Sequence, residues 1–123
     1  VHYHVIDEKE NPKTLVNADS IENDFYKIEF TEGNFNLYLK KNSKEYLDFL
    51  SFEDGGDEGD TYDYSPAFDD WILNLNFKNS HTSRVEQGEF LSRIIVEGEW
   101  ELPYDLASRK DKKRDGVVSY ALT

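Results

Sequence analysis

Without a cysteine among its 123 residues, the chain can form no disulfide framework, no thiolate metal site and no cysteine nucleophile. That absence fits a reducing compartment, and a cytoplasmic location is expected. Basic residues are scarce: 14 Lys and Arg stand against 26 Asp and Glu, a net charge of −12. Such a surface repels phosphate backbones and anionic head groups, so nucleic acid and membrane are not expected partners. No apolar run approaches the length of a membrane span, and Val1 to Asp7 lacks the basic start and apolar middle of a signal peptide. Methionine is absent as well, including at position 1, and an alternating pattern breaks off at Val117 to Thr123. The expectation is one β domain over residues 1–123, cut from a larger multidomain protein.

Hydrophobic residues are also few, at 37%, so the core is expected to be thin. Aromatics supply 15% of the chain, and eight Tyr with eight Phe suit half-buried pleated surfaces better than helices. No helix of convincing length and no internal repeat is visible. The predicted fold is all-β, an antiparallel β-sandwich.

Val1 to Ile6 alternates like a strand until Asn11-Pro12-Lys13 turns it, and a short strand over Thr14–Ala18 follows. His2 and His4 share a strand face; the metal-pair reading is weaker than that of polar residues facing outward. Asp24–Thr31, a turn at Glu32-Gly33-Asn34, and the returning Phe35, Leu37 and Leu39 read as a hairpin. Past the acidic stretch, Trp71, Leu73, Leu75 and Phe77 alternate with polar partners, and Ser80–Gln87 with Glu89–Glu101 reads as a second hairpin. Its longer arm carries apolar residues at both parities, which predicts burial on both faces. Ser108 to Gly116 reads as a mostly basic, solvated connection; as a clamp for an anion it is diluted by Asp111 and Asp115.

The stretch from Glu53 to Asp70 holds eight acids and no Lys or Arg, together with Gly55, Gly56, Gly59 and Pro66. It reads as a long shaped loop. Disordered acidic tracts lack aromatics, whereas Tyr62, Tyr64, Phe68 and Trp71 follow closely here. Acids beside tyrosines suit a hard cation or a sugar that stacks on rings; the plainer reading is a solvated turn whose rings plug the local core. The calcium-loop spacing fails, since Asp54-Gly55-Gly56-Asp57-Glu58-Gly59 does not alternate acids before its glycine. A glycosidase-type carboxylate pair is not identified either, because nothing local marks an acid with a raised pKa.

Phe52 to Pro66, Phe-Glu-Asp-Gly-Gly-Asp-Glu-Gly-Asp-Thr-Tyr-Asp-Tyr-Ser-Pro, resembles a signature in the C-terminal β region of glycoside hydrolase family 38, the α-mannosidases, in their bacterial branch. Ile21 to Ile28, Gly33 to Leu37 and Trp100 to Pro103 are similar to the flanking strands, so the resemblance spans roughly Ile21 to Arg109. It implies a retaining exo-mannosidase whose zinc and nucleophilic Asp lie in an N-terminal domain, followed by a helical bundle and a galactose-mutarotase-like super-sandwich. His2-Tyr3-His4-Val5-Ile6 departs from the family's His-x-His-x-Asp zinc motif at Ile6, so no catalytic residue, metal ligand or cofactor is assigned within this chain. The implied role is a non-catalytic sandwich that packs on the catalytic domain of the same chain, with Asp57, Asp60, Tyr62, Asp63 and Tyr64 as candidates for the rim of the mannose pocket. The alternative is an independent carbohydrate-binding or calcium-binding β module. Edge-strand self-association of the isolated chain is expected at both terminal strands.

Overall fold

The computed structural model describes residues 13–15 and 18–123. The predicted strand at Val1–Ile6, with the His2 and His4 pair, lies outside the described residues. The predicted hairpin is present as β3 (Tyr26–Thr31) and β4 (Asn34–Leu39), paired antiparallel from Tyr26↔Leu39 to Thr31↔Asn34. Its two-residue turn holds Glu32 at φ 51° and Gly33 at φ 78°, the mirror-image turn whose twist matches that of the strands. Gly33 is required for a second reason: a Cβ there would stand 3.0 Å from the Cα of Lys78. β2 (Ser20–Glu22) pairs with β3 and β5 (Lys44–Tyr46) with β4, giving a four-stranded sheet.

The second four-stranded sheet has the order β1 (Lys13–Leu15), β8 (Ser80–Gln87), β9 (Arg93–Leu102), β10 (Gly116–Leu122), all antiparallel. Between the sheets in sequence, β6 (Phe52–Asp54) and β7 (Leu73–Leu75) form a two-stranded ribbon with the acidic stretch as its connection. The alternation predicted from Trp71 to Phe77 holds, with Leu73 and Phe77 buried, but only three of its residues are strand. The ribbon ends at Asn76, whose side-chain oxygen accepts from the Lys78 N–H and whose carbonyl accepts from Trp100 Nε1 at 2.7 Å. This asparagine bends the chain from the ribbon into the second sheet.

The two large sheets face each other across one core, Phe30 and Phe35 from the first against Val85, Ile94 and Val96 from the second, with Phe77 between them. The architecture is an antiparallel β-sandwich. Phe77 stands edge-on to Phe35 at 5.1 Å, and Trp100 and Tyr120 stack at 4.0 Å beside it. Tyr120 lies directly opposite Gly98, where a Cβ would be 2.5 Å from its hydroxyl, so the ring takes the space a side chain would fill.

Two expectations need correction. β9 is buried on one face only: Ile94 and Val96 point inward, while Arg93, Glu97, Glu99 and Glu101 are exposed and Ile95 is half-buried. Glutamates at alternate positions cannot be desolvated without partners, so that face stays in water. The basic connection is not merely solvated, because it contains a one-turn helix, α1 (Leu106–Lys110). Asp105 caps it by accepting from the Ser108 N–H at 2.7 Å. Asp115 accepts from the Tyr104 N–H at 2.9 Å and the Ser108 hydroxyl at 2.8 Å, and those bonds hold its carboxyl below the usual range.

Candidate functional site

The stretch from Glu53 to Asp70 is built as a ladder with a turned tip. Its ends are fixed by the β6 and β7 pairing, Asp54↔Leu73 being the last rung. Further out, Ala67 N–H donates to the Gly56 carbonyl at 3.4 Å, Asp57 and Pro66 form an isolated bridge, and Glu58 N–H donates to the Ser65 carbonyl at 2.8 Å. The tip is residues 59–64. No lysine or arginine belongs to this stretch, so the cations that hold it arrive from elsewhere in the chain.

They come from the connection between β9 and β10. Arg109 is 8% exposed, and its guanidinium donates to the Asp54 carbonyl at 3.4 Å, the Trp71 carbonyl at 2.5 Å and the Asp54 carboxylate. Asp70 Oδ1 lies 3.7 Å from it, within ion-pair range but without a hydrogen bond of its own. Asp70 Oδ2 accepts from the Gly56 N–H at 2.6 Å. Lys110 reaches Glu58 at 3.6 Å, and the Arg114 guanidinium lies 5.5 Å from the centre of the Trp71 ring. The basic run that the sequence shows as a dilute anion clamp does grip an anion, namely the acidic stretch of its own chain.

Two glycines mark how tightly the parts meet. A Cβ on Gly56 would lie 2.8 Å from the Ala67 Cβ and 2.9 Å from Asp70 Oδ1, and one on Gly59 would overlap the Asp63 carbonyl oxygen. Space alone excludes a side chain at either position.

Among the sequence-predicted residues, two acids turn inward to the backbone. Asp57 Oδ1 accepts from the Gly59 N–H at 2.8 Å and the Ser65 N–H at 3.0 Å. Asp60 Oδ1 accepts from Tyr62 N–H at 2.8 Å and Asp63 N–H at 3.0 Å, an aspartate turn that reverses the tip. Both carboxyls sit below the ordinary aspartate range: the Ser65 and then the Gly59 bond lower Asp57, and the Tyr62 and then the Asp63 bond lower Asp60. Tyr62 and Tyr64 do not plug the local core; they are 92% and 70% exposed, with Asp63 exposed between them and Phe68 87% exposed nearby. The stretch is therefore braced from within and presents rings outward at its tip, with the exposed carboxylate of Asp63 between Tyr62 and Tyr64 in sequence.

Glu22, Asp57, Asp60 and Asp115 have carboxyls displaced below their ordinary range, each by the hydrogen bonds it accepts. No group of three or more His, Cys, Asp or Glu side chains among the described residues is placed to hold a metal ion. A shallow groove of about 600 Å³ lies on β8, β9 and β10, lined by His81, Glu97, Glu99, Ser119 and Tyr120, and no residue of the acidic stretch lines it.

Sequence reasoning missed Arg109, Arg114 and Asp70. One signal was available for the first: Asp105 three residues before Ser108 is a helix cap, and it would have turned a uniform basic run into a helix with an inner face. No family model, curated protein or solved structure matches the chain. Fold and site together define a β-sandwich with one braced, outward-facing acidic and aromatic loop.

Proposed function

We propose that the chain is a non-catalytic β-sandwich domain of a family 38 α-mannosidase, which packs on the zinc-dependent catalytic domain and lends loop 53–70 to the rim of its sugar pocket. The observation that carries this reading is the division of labour in the loop. Asp57, Asp60 and Asp70 hold its backbone, leaving Tyr62, Asp63 and Tyr64 exposed at a tip of fixed shape. Exposed rings and an exposed carboxylate on one loop tip match a sugar, whose C–H face stacks on rings and whose hydroxyls donate to acids. The resemblance over Phe52–Pro66 supports the family reading, and the exposed Phe25, Phe90, Leu91 and Tyr104 support burial of this surface against further protein.

The test is made in the full-length protein on an aryl α-mannoside. Tyr62→Ala or Tyr64→Ala is expected to lower kcat/KM about tenfold or more, the equivalent of about 1.4 kcal/mol, with melting temperature unchanged. Asp63→Asn should act in the same direction. The isolated chain should neither turn over the mannoside nor retain zinc through gel filtration. Wild-type activity in the full-length protein that survives all three substitutions within twofold rules out the rim role.

The same exposed tip favours one second reading, an independent carbohydrate-binding module. Calorimetry of the isolated chain with mannosides separates the two: a binding module takes sugar alone, whereas a pocket rim needs the catalytic domain.

A further inference from the structure

We propose that Arg109 is the positioning residue of the loop tip, setting the height and direction of Tyr62, Asp63 and Tyr64 without touching sugar itself. This rests on the reading of loop 53–70 as a pocket rim. The guanidinium ties the start of the loop, at Asp54, to the residue just after its end, Trp71: it donates to the Asp54 carbonyl, the Asp54 carboxylate and the Trp71 carbonyl. From it a continuous series of contacts runs outward. Asp70 lies beside Arg109 and accepts from Gly56, Gly56 pairs with Ala67, Asp57 bridges Pro66 and accepts from Ser65 and Gly59, and Asp60 closes the tip. The tip has no core of its own, since Tyr62 and Tyr64 are exposed, so its orientation depends on this series and on the base beneath it.

Lysine cannot reproduce the base. A planar fork with five donors can reach two carbonyls and a carboxylate at once, whereas an ammonium is a single point with three rotating donors. Arg109 is the shared cation of Asp54 and Asp70, whose side chains are 27% and 10% exposed, so its removal leaves both acids without it and the more buried Asp70 with a charge to bear alone. Charge relief alone and geometric positioning can be told apart, because neutralising the acids cures the first and not the second.

The experiment compares R109K, R109M and the triple variant R109M/D54N/D70N, first in the chain itself. Amide exchange at Gly56, Glu58, Gly59 and Ser65 is expected to rise at least tenfold in R109M and to stay high in the triple variant, while Phe30, Val85 and Ile94 keep wild-type protection. In the full-length protein, R109M and R109K are expected to lose between about tenfold and a hundredfold in kcat/KM on an aryl α-mannoside, mostly in kcat, as a misplaced rim predicts. The triple variant should recover melting temperature but not kcat/KM. Wild-type kcat/KM in the triple variant, or wild-type protection of the four loop amides in R109M, overturns the proposal. If the wild-type full-length protein shows no α-mannosidase activity, the assigned function fails, and the amide measurement alone then decides whether Arg109 positions the tip.

Discussion

At the scale of single residues, Asp57 and Asp60 each spend one carboxylate oxygen on two backbone N–H groups, and this makes the loop sensitive to acid. Both folded-state pKa values are lowered from 3.8, so the ionised forms favour the folded loop. Their contribution is full above the unfolded value and is lost as pH falls through the lower, folded values. In a titration from neutral to strong acid, the amide shifts of Gly59 and Ser65 should move together with a midpoint below 3.8, as should those of Tyr62 and Asp63. Asp57→Asn should abolish the first movement and leave the second. Midpoints at or above 3.8 would show that these bonds do not favour the ionised forms.

At the scale of elements, the strands were legible wherever a period of two met a turn residue. The hairpin expected over Asp24–Thr31 and Phe35–Leu39 is found as Tyr26–Thr31 and Asn34–Leu39, with Asn34 in the strand and not the turn, and Ser80–Gln87 is found as expected, whereas the arm expected from Glu89 becomes strand only at Arg93. The long loop was legible from its glycines and proline, and its aromatics pointed to a shaped segment. Its bracing was not, because Asp54 and Arg109 are 55 positions apart and local patterning carries no trace of such a partner. The inward turn of Asp57 and Asp60 was missed for a different reason: an acid that shapes backbone and an acid that meets a ligand have the same letter and the same spacing. Since α1 delivers Arg109 and rests on its Asp105 cap, Asp105→Ala should cost about 1 kcal/mol and loosen the loop with the helix. Chemical denaturation combined with loop amide exchange checks both effects. Unchanged loop protection in that variant would show that Arg109 holds its place without the helix.

At the scale of the whole molecule, a small core carries a strongly acidic shell. Phe77 is 1% exposed and touches the rings of Phe35, Phe52, Trp100 and Tyr120, so Phe77→Ala should cost about 3–5 kcal/mol. Against about 5–15 kcal/mol for a domain of this class, that loss brings the chain near unfolding, which thermal melting would show. β10 has β9 on one side and no strand on its other side among the described residues, and such an edge invites pairing with another copy. The charge of −12 opposes that pairing, so added salt should strengthen it. Light scattering at high protein concentration should show mass rising with ionic strength; a monomer at every salt concentration would contradict this. The two tryptophans report these events separately. Trp71 lies under Arg114 at the loop exit, and Trp100 stacks on Tyr120 within the sandwich. Replacing either by Phe leaves a single indole, so fluorescence from Trp71 follows release of the loop while that from Trp100 waits for the sheets to part. One protein thus carries two native optical clocks, and the interval between their transitions measures how far the loop can open before the fold gives way.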